Sequence, residues 1–149
     1  IQEQIDKRIQ ELSLEEVVST DVTDDGLKLS LNSGLVFASG EASIEAQMEA
    51  TIDTMLVVLE PYSEKYSFAV EGHTDSIPVA VGSRFPSNWE LSTARAIAVR
   101  DRLENTGVDA NRIRVEGYAD TRPLPEETLV GLEPAERRAR HRRVIVRVY

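Results

Sequence analysis

The sequence predicts an α/β (α+β) two-layer sandwich: a mixed β-sheet with helices on one face, preceded by an N-terminal helix. Three observations carry this. Short alternating or continuous apolar runs (LKLSL, SFAVEG, RIRVEGY and RVIVRVY) recur along the chain. Between them lie longer stretches whose apolar residues return every three or four positions, the period of a helix packed on one side. From residue 43 onward the two kinds alternate, which is the order of a sheet crossed by helices rather than of a bundle or two stacked sheets. A chain of 149 residues, 41% hydrophobic and 29% charged, suffices for one such domain with a real core.

The opening IQEQIDKRIQELSLEE sets Ile1, Ile5, Ile9 and Leu12 on one narrow stripe. It reads as a linker helix over 1–16, packed either on the domain at 17–149 or on a second copy of the chain. VVSTDVTDDGLKLSLNS reads as a β-hairpin about DDG, with Leu27, Leu29 and Leu31 sharing a face. A helix is expected near 43–60, with Ile44, Met48, Ile52, Met55, Leu56 and Leu59 inward and Pro61 at its end. SFAVEG (67–72) is the next strand. The loop after it runs about fifteen residues, longer than ordered loops usually are unless they serve a purpose. A helix from about Asn88 to Asn105 stops at Gly107. RIRVEGY (112–118) follows as a strand with Ile113 and Val115 inward. A second long loop and a short helix at AERRAR lead to RVIVRVY, with Val144, Val146 and Val148 facing the core.

Charge and composition remove several functions. A net charge of −9 repels nucleic acid and anionic membranes. Six arginines between Arg137 and Arg147 interrupt that balance, and pairing with local acids on a wet face is the preferred reading over an anion site. Without cysteine there is no disulfide, thiolate or cysteine metal chemistry. His73 and Asp75 alternate on a strand, but two ligands make no metal site. Phosphate-loop, dinucleotide and nucleophile-elbow motifs are missing, and Glu126-Glu127 sit in a loop, so neither enzyme activity nor a cofactor is expected. No apolar run approaches the roughly 18 residues of a membrane span. The chain starts at isoleucine, which suggests a piece of a longer protein whose anchor lies elsewhere.

One constellation stands out in GHTDSIPVAVGSRFPSNWELSTARA, residues 72–96. At about 100° per residue, Arg95 falls between Leu91 and Val99 on the apolar side of its helix. A guanidinium there must be paired, wetted through a cleft, or very costly. Asp75, just past a strand end, is the obvious counter-charge, and the two are expected to pair when no ligand is bound. Spacing alone allows a structural salt bridge or a ligand site.

The stretches GHTD, SNWELSxxRA and RRV together resemble the OmpA-like peptidoglycan-binding domain, with its β/α/β/α/β fold. GHTDSIPV with PSNWELSTARA is most similar to the MotB/PomB type of flagellar stator protein. VFASGEASI (36–44) and VEGYADTRP fit the family's segments before its first core helix and after its second, so the likeness spans about 27–149. It implies non-catalytic binding of cell-wall peptidoglycan, with Asp75 and Arg95 holding the diaminopimelate side chain of the stem peptide. Thr74, Asn88, Leu91 and Ser92 match the surrounding motif. Asn88 would supply amide hydrogen bonds or the helix cap, and Ser92 is either a ligand contact or a buried hydroxyl. Before the last strand the family usually writes Asn-Arg-Arg-Val. Here His141 replaces the asparagine ahead of Arg142 and Arg143, which bears on the groove's ligand preference. The resemblance further implies a homodimer, a MotA/PomA-like channel subunit as partner, and a periplasmic location below a single inner-membrane span. Its alternatives are an OmpA/Pal-type envelope tether and the anchor of a non-flagellar ion-driven machine.

Overall fold

The computed structural model describes residues 2–149; Ile1 of the N-terminal stripe lies outside them. Five strands, β1 (Val18–Thr23), β2 (Gly26–Asn32), β3 (Phe68–His73), β4 (Ile113–Gly117) and β5 (Arg143–Val148), form one sheet in the order β1-β2-β5-β3-β4. The pair β3–β4 is parallel and the other pairs are antiparallel. Five helices accompany it: α1 (Gln2–Glu11), α2 (Ser33–Val36), α3 (Ala46–Leu56), α4 (Asn88–Asn105) and α5 (Pro134–His141). The sheet is therefore mixed, and its central strand is the last one made.

The hairpin forms where DDG places it, with Val18 opposite Leu31 and Thr23 opposite Gly26. Gly26 is required there: it sits at φ +121°, and a Cβ would meet the Val148 carbonyl oxygen at 2.2 Å. Leu27, Leu29 and Leu31 join Phe68, Val70, Val144, Val146 and Val148 on one face of the sheet. Against them pack Ile52, Met55 and Leu56 of α3, Leu59 just beyond it, and Ala96, Val99 and Leu103 of α4. Helix α1 closes the same core over the hairpin end with Ile5 and Ile9, both buried. Each such isoleucine contributes about 1.5–3 kcal/mol, which a helix this short needs in order to form at all.

Two details depart from the expected elements. The helix expected near 43–60 is regular only from Ala46 to Leu56, then tightens into a 3₁₀ segment, Val57–Tyr62, that contains Pro61. Pro61 has no N–H for an α-type bond, and the tighter winding keeps Leu59 in the core. Ile44 lies before the helix and bridges to Phe37, closing residues 37–44 into a narrow loop. The other departure is β3, which is buried on both faces rather than one. On its second face the Glu71 carboxylate accepts from Arg147 Nε at 2.8 Å and from His73 Nε2 at 3.1 Å. The His73 ring stacks under Tyr118. Burial alone would raise the Glu71 pKa, but the His73 and Arg147 hydrogen bonds and charges outweigh it and hold the group at about 2.

Helix α4 lies unusually close to the sheet, and two glycines explain it. A Cβ at Gly72 would meet the Ser92 carbonyl oxygen at 1.9 Å, and one at Gly117 would meet Thr93 Oγ1 at 2.0 Å. Thr93 therefore rests on β4. This close approach sets the depth at which Leu91 and Arg95 stand beside the end of β3.

Candidate functional site

The chain leaves β3 at His73 and turns outward through Thr74 and Asp75, both buried. Asp75 Oδ1 accepts from the Ile77 backbone N–H at 3.0 Å, a side-chain turn that starts the long loop. The loop is tied back by Asn88, whose amide donates to the Ile77 carbonyl at 3.0 Å. Asn88 is thus a loop clamp and not the helix cap. Ser87 caps α4, accepting from the Trp89 N–H at 3.1 Å, and its hydroxyl in turn donates to the Glu90 carboxylate in the first turn. Trp89 is about half exposed.

Between this loop, the segment 37–41 and the start of α4 lies a groove of about 800 Å³. Thr74, Asp75, Asn88, Leu91, Arg95 and Arg142 all line it. The other two predicted site residues do not. Ser92 is buried behind the groove, donating to the Trp89 carbonyl and accepting from the Ala119 N–H at 3.1 Å. His141 turns away, and its Nδ1 accepts from the Leu124 N–H at 3.3 Å, pinning the loop before α5. Its pKa is lowered by partial burial and by the charge of Arg143.

The expected Asp75–Arg95 pair does not form. Asp75 Oδ2 instead accepts from Arg142 Nη1 at 2.7 Å. Arg95 donates from Nε to the Glu41 carbonyl at 2.8 Å and from Nη2 to the Ala38 carbonyl at 3.2 Å. Its guanidinium also lies 5.0 Å from the centre of the Phe37 ring. Arg95 is 5% exposed. Burial, then the nearby Arg142 charge, lowers its pKa to about 10, against the opposing pull of Asp75 and Glu41. It remains a full cation at neutral pH, held by neutral carbonyls, with Nη1 unpartnered among the described residues. A buried cation without a paired carboxylate is a ready site for an incoming anion.

Glu41, Phe37 and Ile77 also line the groove, and sequence reasoning missed them as site residues. Glu41 and Ile77 contribute through backbone carbonyls, which residue type does not reveal, and Phe37 through its ring against Arg95. Among the described residues no group of three His, Asp or Glu converges as a metal site, and no helix is long and apolar enough to cross a membrane.

Residues 36–139 match the OmpA family. The chain belongs to that family. Motility protein B of Bacillus subtilis is 31% identical over 150 residues, covering 98% of this chain and 54% of the relative. The chain thus spans about half the length of that curated relative. Among solved structures, the periplasmic domain of Helicobacter pylori MotB superposes with a TM-score of 0.76 at 26% identity, over 88% of this chain and 80% of that one. The cell wall anchor of the T6SS from Pseudomonas aeruginosa superposes with a TM-score of 0.82 at 31% identity, over 100% of this chain and 99% of that one. The OmpA-family fold and the MotB likeness agree with the architecture derived above. The family segment begins at Val36, so α1 and the hairpin lie before it, whereas the Bacillus relative covers them as well.

Proposed function

We propose that this OmpA-family chain is a non-catalytic anchor that binds cell-wall peptidoglycan through the groove beside α4. The stem-peptide residue it takes is diaminopimelate, whose side chain ends in an ammonium and a carboxylate on one carbon. Asp75 receives the ammonium, and Arg95 donates its free Nη1 to the carboxylate. The observation that carries this reading is the state of Arg95: a buried guanidinium pinned by the Glu41 and Ala38 carbonyls, with no acid of its own. A cation held at this depth without a carboxylate is costly, and an incoming anion offsets that cost. Thr74 and Asn88 set the loop, and Leu91 supplies an apolar wall for the methylenes of the ligand.

In the same reading the chain is the periplasmic part of a stator subunit of the MotB/PomB type. It would act as a homodimer, joined to a MotA/PomA-like channel subunit through a single inner-membrane span outside this sequence. The 98% coverage against Motility protein B supports that assignment. A second reading, the wall anchor of a non-flagellar machine, is favoured by the end-to-end likeness to the T6SS anchor. Both need the same groove. The chain should co-sediment with purified sacculi and release no muropeptides from them. Sedimentation no greater than that of an unrelated acidic protein would refute wall binding, and muropeptide release surviving repurification would refute the non-enzymatic role.

A further inference from the structure

The groove holds more positive charge than a zwitterion can use. Its ionic lining is Arg84, Arg95 and Arg142 against Glu41 and Asp75. Arg84 and Glu41 face each other at 3.7 Å near the solvent. Arg95 and Arg142 therefore share a single acid, Asp75. One ammonium and one carboxylate would occupy Asp75 and Arg95, and would take Asp75 away from Arg142. Arg142 would then stand at the groove mouth without a partner.

Arg142 also lines a second cleft, of about 600 Å³, between α5 and the outer face of the hairpin. There it is joined by Arg140, exposed and without an ion pair among the described residues, and by Arg143. Arg143 is buried and donates only to backbone carbonyls, those of His141 at 3.0 Å and Arg122 at 2.9 Å. Its charge adds a fixed positive potential behind the cleft. Glu15 and Glu16 stand on the opposite wall. They disfavour a polyanion and leave room for a single carboxylate on the α5 side.

Resting on the groove assignment above, we infer that Arg142, backed by Arg140 and Arg143, forms a second anionic subsite for another carboxylate of the same stem peptide. The chemistry that fits is the free α-carboxylate of a γ-linked glutamate, next to the zwitterionic residue in the chain. On binding, the ligand ammonium replaces Arg142 at Asp75, and the freed guanidinium turns to this carboxylate. Arg142 is able to do so because its side chain is 37% exposed and sits at the junction of the two clefts.

The test is a calorimetric titration with two synthetic tripeptides, Ala-γ-Glu-diaminopimelate with the glutamate α-carboxyl either free or as the carboxamide. The free acid should bind wild type about tenfold or more tightly, the worth of a charge-assisted hydrogen bond. In Arg142→Gln the two peptides should bind alike, and in Arg140→Gln the difference should shrink. If wild type binds both peptides equally, the subsite is overturned while the groove assignment stands. A preference that persists in Arg142→Gln also overturns it, because another cation then reads the carboxylate. If wild type binds neither peptide, the groove assignment fails and the inference falls with it.

Discussion

Arg95 shows how a single residue is bound to fold and ligand at once. Its two carbonyl partners fix the 38–41 turn, while its charge is left for the groove. Arg95→Lys keeps the charge but cannot span both carbonyls with a planar fork. It should cost about 1–2 kcal/mol of stability in denaturant unfolding and about 2 kcal/mol or more of sacculus affinity. The sequence placed Arg95 on the apolar face and Asp75 at the strand end, and both line one groove. It could not reveal that Arg142, 67 residues further along, would take Asp75, because that contact depends on where β5 enters the sheet. A second residue, Glu71, sets a pH limit. Its folded pKa of about 2 lies below its ordinary 4.5, so its stabilisation is present above about pH 4.5 and is lost as pH falls towards 2. The change is about 3 kcal/mol, from the linkage of one pKa unit to about 1.4 kcal/mol. His73, held below its ordinary 6.5 chiefly by burial, acts in the same direction from pH 6.5 downward. Glu71→Gln should flatten the acid limb of the stability–pH curve measured by urea unfolding; an unchanged limb would remove the network from the account.

Among the elements, helices α4 and α5, the hairpin and the three later segments read as strands were legible because their apolar period and terminators agree. Asn88–Asn105 stops at Gly107 as expected, although its cap is Ser87 and not Asn88. The less legible elements are those shaped by tertiary contacts. The 3₁₀ turn around Pro61 and the Phe37–Ile44 bridge serve the core and the Arg95 turn, and neither leaves a periodic trace. Helix α1 was legible as an amphipathic stripe, but the stripe cannot name its partner. The structure seats Ile5 and Ile9 in the domain's own core, and Tyr62 reaches Gln4 across the same junction. Changing Ile5 and Ile9 together to serine should therefore destabilise the isolated chain by about 4 kcal/mol or more, by lost burial and two unpaired hydroxyls. Thermal unfolding would read this as a fall in Tm independent of protein concentration. A fall that appears only at concentrations where the chain self-associates would place the stripe between copies instead.

At the scale of the molecule, the C-terminal strand lies between β2 and β3, so the groove forms only when the whole chain has closed the sheet. Strand order was the least legible feature: alternation gives each strand an inner face but not a neighbour. The closed sheet brings the end of β3, the start of α4 and the entry to β5 to one place, and that convergence puts Asp75, Arg95 and Arg142 around one groove. The central claim is that this groove reads a zwitterionic side-chain end. It is tested most directly by titrating the chain with two stem tripeptides that differ only in the third residue, diaminopimelate or lysine. Lysine keeps the ammonium for Asp75 and lacks the carboxylate for Arg95. The diaminopimelate peptide should bind at least about tenfold more tightly, as a charge-assisted hydrogen bond requires, and Arg95→Gln should abolish the difference. Equal affinity for the two peptides in the wild-type chain would contradict it.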